Sequence, residues 1–298
     1  MKSHLKFIPL LLAVLLFISF IAVSPFSKTE AKKYLSIEEA MKNKIVEAHI
    51  IGLGGHTGEC ITLDIQSLVD YDTLIRIEPG RRLVSDDTLL QDILIIKEIQ
   101  LFLAAKEKKL INLFGFCCEA TNHSPYGGAK FNVGYMPDSS FIKLAMFLSA
   151  SNLPLDVMQN AVWVLSNNHA LNSIHNDNDG DRTKMKELYQ LIAGLKGLEI
   201  KFPWYTLKYK QDTASLFSNK PAKLFGEIEY YLSSPANVDL VVRDYRNNFV
   251  ANLFVNRPQN PNNYTYRFSL DVSKYPKGKY YVILYVDNQL RVRKEFEI

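Results

Sequence analysis

Three cysteines, Cys60, Cys117 and Cys118, carry most of the chemistry this sequence offers. In an oxidising compartment Cys60 with Cys118, or with Cys117, is a candidate disulfide between strands, and the odd count leaves one thiol over. In a reducing one they read as small buried hydrophobes. His56 stands four residues before Cys60, and His123 five after Cys118. Together they have the composition of a Cys2His2 zinc set. The two halves are far apart in sequence, however, and a Gly-rich turn around His56 equally suits a solvated imidazole. Cys118, Asn122 and His123 supply the residue types of a cysteine hydrolase. Such a pair is usually brought together by the fold, not placed five residues apart in one loop. Asp177, Asp179 and Asp181 suggest a calcium loop. With Gly180 at its sixth position, His175 occupies the first and Lys186 the twelfth, where carboxylates are needed. A polar turn closing on Asp181 as a helix N-cap reads better. No metal and no cofactor is therefore expected. The sequence has no glycine-rich phosphate loop and no GxSxG.

The elements that must position these residues belong to a mainly β chain with a helical insertion. The length, 298 residues, allows roughly two domains at ~150 residues each. Hydrophobic residues at 47% and charged ones at 22% exclude wholesale disorder and collagen-like or coiled-coil designs. Lys2 and Lys6 precede an uncharged run, Phe7 to Val23. This is the layout of a signal peptide over residues 1–24, cleaved after Ser24 or Ala31. The run is short for a membrane span and holds Pro9. Without the two lysines the net charge falls from +4 to +2. That leaves no basic excess for nucleic acid. The mature chain is expected to be exported, with no membrane span.

Ser36, with Glu39 three residues on, opens a short helix. Runs at 45–53, 59–67, 73–78, 92–104 and 109–118 read as strands, and 92–104 is also long enough for a helix. Helices are expected at 141–149, 155–166 and 182–195, an excursion at about 139–195. From residue 198 onward seven short strands follow one another. Arg246-Asn247-Asn248 and Asp287-Asn288 supply hairpin turns. Residues 32–196 are thus expected to form a β-sandwich or barrel-like domain carrying the helices. Residues 197–298 are expected to form an Ig-like sandwich.

Two resemblances sharpen this reading. The step Lys277-Gly278-Lys279-Tyr280-Tyr281-Val282, followed by a hairpin and the terminal strand Arg291–Ile298, is similar to the C-terminal Ig-like sorting domains of type IX secretion. It is similar also to the Ig-like repeats of flagellar hook-capping proteins. That resemblance implies a sorting, attachment or spacer role, with secretion machinery as partner. The glycine usual near Asn247 or Asn248 and the opening Pro-Asn-Pro are absent. Phe116-Cys117-Cys118-Glu119, Ser124-Pro125 and Met158-Gln159-Asn160-Ala161-Val162-Trp163 resemble, in that order, thioester domains of Gram-positive surface adhesins. This second resemblance implies an internal thioester between Cys117 or Cys118 and Gln159, shielded by Trp163. Met158 stands where that family has Thr, and two cysteines replace one.

The expectation is an exported, non-enzymatic surface or periplasmic protein. Its N-terminal domain would recognise a protein or cell-surface ligand, and its C-terminal sandwich would serve sorting, attachment or spacing. A covalent thioester adhesin and a secreted cysteine hydrolase are the alternatives.

Overall fold

A computed structural model describes residues 33–176, 182–199, 202–210 and 217–298. The targeting segment 1–24 and Asp177, Asp179 and Asp181 lie outside these residues. The chain is mainly β, as expected. Its first part runs β1 (Leu35–Ser36), α1 (Ile37–Lys42), β2 (Val46–Leu53), β3 (Thr57–Ser67), β4 (Thr73–Ile77), β5 (Arg82–Ser85), β6 (Ile93–Ile95), β7 (Ile99–Leu103), β8 (Lys108–Cys117) and β9 (Gly127–Val133). Ser36 caps α1, its Oγ accepting the Glu39 N–H at 3.1 Å. Strands β2-β3-β8-β6-β5-β9 close into a barrel, and β1-β4-β7 form a small separate sheet. The run at 92–104 is therefore two strands in different sheets. Strands β5 and β9 were not legible in the sequence. One has four residues, and the other opens on Gly127-Gly128.

Barrel closure depends on close backbone approach. A methyl group on Gly115 in β8 would lie 2.6 Å from Ile93 Cγ2 and 2.9 Å from the Leu94 carbonyl oxygen of β6. Along β8 the side chains alternate, as a strand requires. Leu113 and Cys117 enter the barrel core with Ile61, Leu63 and Cys60. Phe116 and Cys118 face the other way, into a second core formed with the helices.

Those helices are α2 (Ser139–Ala150), α3 (Leu155–Ser166) and α4 (Arg182–Leu195), with a 3-10 turn at Leu171–Ser173. Asp138 caps α2, accepting the Ser140 N–H at 2.7 Å. This cap is a carboxylate, which suits the helix N-terminus. Val157, Ala161 and Val164 of α3 and Leu188 and Ile192 of α4 close this second core.

The last part comprises β10 (Tyr205–Tyr209), β11 (Pro221–Leu232), β12 (Ala236–Asp244), β13 (Phe249–Gln259), β14 (Asn262–Asp271), β15 (Lys279–Val286) and β16 (Gln289–Glu297). They form sheets of three (β10-β11-β14) and four (β13-β12-β15-β16) strands, all antiparallel, around a third core. Asn247, Asp287 and Asn288 adopt positive φ at the hairpins. Tyr280 is buried, stacked on Phe296 at 5.4 Å, and its hydroxyl donates to Pro276 O at 2.8 Å. Gly278 and Ile298 exchange backbone hydrogen bonds at 3.0 Å, which ties the last residue into the sandwich.

Candidate functional site

Three elements converge beside the end of β8. The turn between β2 and β3 reverses through Gly54 and Gly55, both at positive φ, a conformation glycine adopts without a side-chain clash. It delivers His56, whose carbonyl oxygen accepts the Cys117 N–H at 3.0 Å. Helix α3 delivers Gln159, 2% exposed. Gln159 Oε1 accepts the same Cys117 N–H at 3.2 Å, and its Nε2 donates to Cys117 O at 2.6 Å. The carboxamide thus clamps α3 to the barrel through the main chain of the cysteine. Strand β10 supplies the third wall. His175 joins it to the helical layer, with Nδ1 2.8 Å from Thr206 Oγ1 and its ring stacked on Phe225 at 3.9 Å.

Together these walls border an open cavity of about 460 Å³. His56, Asp156, Gln159, Asn160, Trp163 and Tyr209 line it, with Ser173, His175, Lys208, Lys210 and Phe217 around them. Asp156 lies exposed in the first turn of α3, and Asn160 donates back to the Asp156 carbonyl at 2.8 Å. Trp163 is buried, and its indole N–H has no acceptor among the described residues. Burial pushes the His56 imidazole down from its ordinary 6.5, which favours the neutral form. His169, whose ring lies tilted 4.0 Å from that of Phe217, is pushed down to about 4 by burial, helped by Lys196.

The cysteines are free thiols, and all three are buried. Cys60 lies in the barrel core, where burial raises its thiol to about 11 and its S–H donates to Gly115 O at 3.7 Å. Cys117 shares that core and is raised well above the ordinary value, chiefly by burial. Cys118 lies in the helical core, its S–H donating to Asp92 O at 3.3 Å. Burial raises it to about 12 despite the nearby Arg82. The expected Cys60–Cys118 pair is therefore not joined, and strand alternation explains why the two thiols enter different cores.

The zinc set is not assembled either. Among the described residues no three His, Cys, Asp or Glu side chains converge on a metal position. The main chain of His123 is pinned to the 89–91 loop, with its N–H on Leu89 O at 2.9 Å and its carbonyl accepting from Gln91 N at 3.0 Å. Asn122 donates to Glu119 Oε2 at 3.1 Å. Of the residues singled out in the sequence, His56, Cys117, Gln159 and Trp163 are brought together. Asp156, Asn160, Ser173, Lys208 and Lys210 were not foreseen. Asn160 adjoins Gln159 in the Met158–Trp163 stretch, which is the one signal that pointed to it.

Comparison with protein-family profiles and with curated proteins finds no match. Among solved structures the chain is similar to the CBM51-2 and INT domains of ZmpB from Clostridium perfringens. The identity is 13%, over 85% of this chain and 80% of that one, with a TM-score of 0.17. At that score the superposition establishes no common fold. Among the described residues no helix is long and apolar enough to cross a membrane.

Proposed function

We propose that this chain is an exported, non-enzymatic recognition protein. The cavity between the barrel, α3 and β10 binds the ligand, and the C-terminal sandwich serves sorting, attachment or spacing. The observation that carries this reading is the cavity itself. Its volume of about 460 Å³ falls within the roughly 300–1,000 Å³ of ligand sites, and its wall mixes aromatic rings with carboxylate, amide, imidazole and ammonium groups. The cysteine-hydrolase alternative is disfavoured, because the buried Cys118 thiol, raised to about 12, stays protonated at neutral pH. Ligand-observed NMR of the full chain against a chemically mixed fragment library tests the cavity. Hits are expected, and they should weaken in Asp156→Ala and Asn160→Ala. Hits indifferent to both variants would show that the ligand binds elsewhere. Deleting residues 224–298 tests the sandwich. Unchanged export and surface retention would end the sorting role.

One observation favours a second reading, covalent adhesion through a thioester. Gln159 already lies on the main chain of Cys117, and Cys118 is the next residue. A Cys thiol adding to Gln159 Cδ, with its proton passing to the departing amide nitrogen, would form the C–S bond, release ammonia and leave an acyl group for an incoming amine. Intact mass decides it. The thioester requires an ammonia-sized deficit, and substitution of the bonded cysteine or of Gln159 must abolish it. A full-length mass without that deficit sinks this reading.

A further inference from the structure

Strand β11 is much longer than the strand beside it. It pairs with β14 over residues 223–232, but with β10 only over 221–226. Glu227, the next residue, still turns its main chain toward the β10 side. Its N–H donates to Trp204 O at 3.3 Å, and its carbonyl accepts from Lys294 Nζ at 3.3 Å. In an antiparallel sheet the main-chain groups of every second residue point to the same edge. Those of Glu229 and Tyr231 therefore face this edge too, past the end of β10. Phe202 and Pro203, which precede Trp204, lie outside any strand, and proline has no N–H to extend a ladder. Among the described residues no other strand covers this stretch of β11 from that side.

The opening is lateral, between the two sheets. On the facing sheet, β16 is closed toward its end, where Trp204 Nε1 donates to Glu295 O at 2.9 Å and the Tyr205 hydroxyl accepts from Glu297 N at 3.3 Å. Toward its start a cleft of about 590 Å³ remains, bordered by Tyr230, Leu232, Val286 and Val292 among others. A strand laid along residues 229–232 would alternate its side chains. One set would enter this cleft, and the other would lie on the outer face beside Glu229 and Tyr231. Both of those residues are exposed. Glu227 is paired with Arg267 at 2.7 Å, whereas Glu229 has no basic partner among the described residues. Opposite charges on neighbouring strands attract and like charges repel. A lysine or arginine on the incoming strand is thus favoured. Two copies of this chain meeting edge to edge would instead crowd their Glu229 carboxylates onto one face.

We propose that residues 229–232 of β11 are a docking edge for an extended basic peptide of a partner protein, which adds a strand to the three-stranded sheet and places alternate apolar side chains in the cleft. This edge is separate from the cavity beside α3 and stands whether or not the sandwich serves sorting, so the two readings fail independently.

The test uses the full chain and two end-blocked peptides, one alternating valine with lysine and one alternating valine with glutamate. Exchange at the Glu229 and Tyr231 amides should be fast in the free protein and slow with the lysine peptide bound. That peptide should bind about threefold or more tightly than the glutamate one. Tyr231→Pro removes an N–H on the open edge and leaves the β14 ladder its hydrogen bonds, so it should weaken the lysine peptide about tenfold. Glu229→Lys, at an exposed position, should reverse the preference between the peptides. Melting temperatures check that both variants fold. A lysine peptide N-methylated along its backbone should not bind, which keeps the test decisive if Tyr231→Pro fails to fold. Silence from the lysine peptide, exchange slowed away from residues 229–232, or binding that survives N-methylation overturns the docking edge. A dimer in sedimentation that Tyr231→Pro abolishes would give the edge to a second copy and overturn the partner.

Discussion

Cys118 lies close enough to Arg82 for the guanidinium to favour a thiolate, yet burial wins and the thiol stays protonated. Iodoacetamide at pH 8 should therefore label none of the three cysteines in the native protein and all three after unfolding, as read by intact mass. Rapid native labelling of Cys118 would contradict its placement in the helical core. The same burial shapes stability at both ends of the pH scale. Cys60 and Cys118 release their protons at about 11 and about 12 when folded, against 9.0 ordinarily. Their contribution is full below pH 9 and is lost as pH rises through 11 and 12. His169 runs the other way. Its folded value of about 4 lies below 6.5, so the unfolded chain takes the proton first as pH falls. That contribution is full above pH 6.5 and is lost toward pH 4. Thermal melts across pH should show both limbs, and His169→Gln should flatten the acid one. Gln159 is the most exacting residue here. Gln159→Ala strips the buried Cys117 carbonyl of its side-chain donor. It is expected to destabilise by about 3 kcal/mol in urea titration, combining an unsatisfied buried group with a cavity.

At the scale of elements, strand β8 organises the molecule because its two faces serve two cores. Leu113 and Cys117 fill the barrel, and Phe116 and Cys118 seat the helices. Gly115 lets β6 approach, and no other residue fits there. Gly115→Ala should cost about 1–3 kcal/mol through overpacking against Ile93 and the Leu94 carbonyl, measurable by chemical denaturation. A neutral result would mean that β6 and β8 stand further apart than described. Helix positions were legible in the sequence because α3 and α4 carry apolar residues at helical spacing between clear start and stop signals. The barrel was only partly legible. Strand β5 is too short to show a period, and the 92–104 run gives no sign that its halves join different sheets. Which strand pairs with which is set by closure, a long-range condition that no local window contains.

At the scale of the whole molecule, a single buried cation joins parts distant in sequence. Arg81 is 1% exposed. Its guanidinium bonds Glu78 at 2.9 and 3.1 Å, Glu38 in α1, and the Gly134 carbonyl beyond β9 at 2.9 Å. Removing it leaves Glu78 with an uncompensated charge and α1 without its anchor. Arg81→Met should destabilise by about 3–5 kcal/mol, with Glu38→Gln costing far less because that carboxylate is half exposed. Equal losses for the two would show that the anchor to α1 dominates. The candidate cavity is a product of the same scale. Its walls come from the β2–β3 turn, α3 and β10, so none of its outlines exists within one stretch of chain.

Sequence alone determined the mainly β character, the place of the helices and the strand succession of the final sandwich. Hydrophobic period, caps and turn residues act over a few residues and are written locally. It also singled out Gln159 and the cysteines as a group worth placing. Only the tertiary structure decided how they meet. Strand alternation sends Cys60 and Cys118 to separate cores. Gln159 reaches the Cys117 backbone instead of a thiol, and burial holds every thiol protonated. Those outcomes depend on which face of β8 meets which core, and that follows from barrel closure and helix packing, which bring distant residues together.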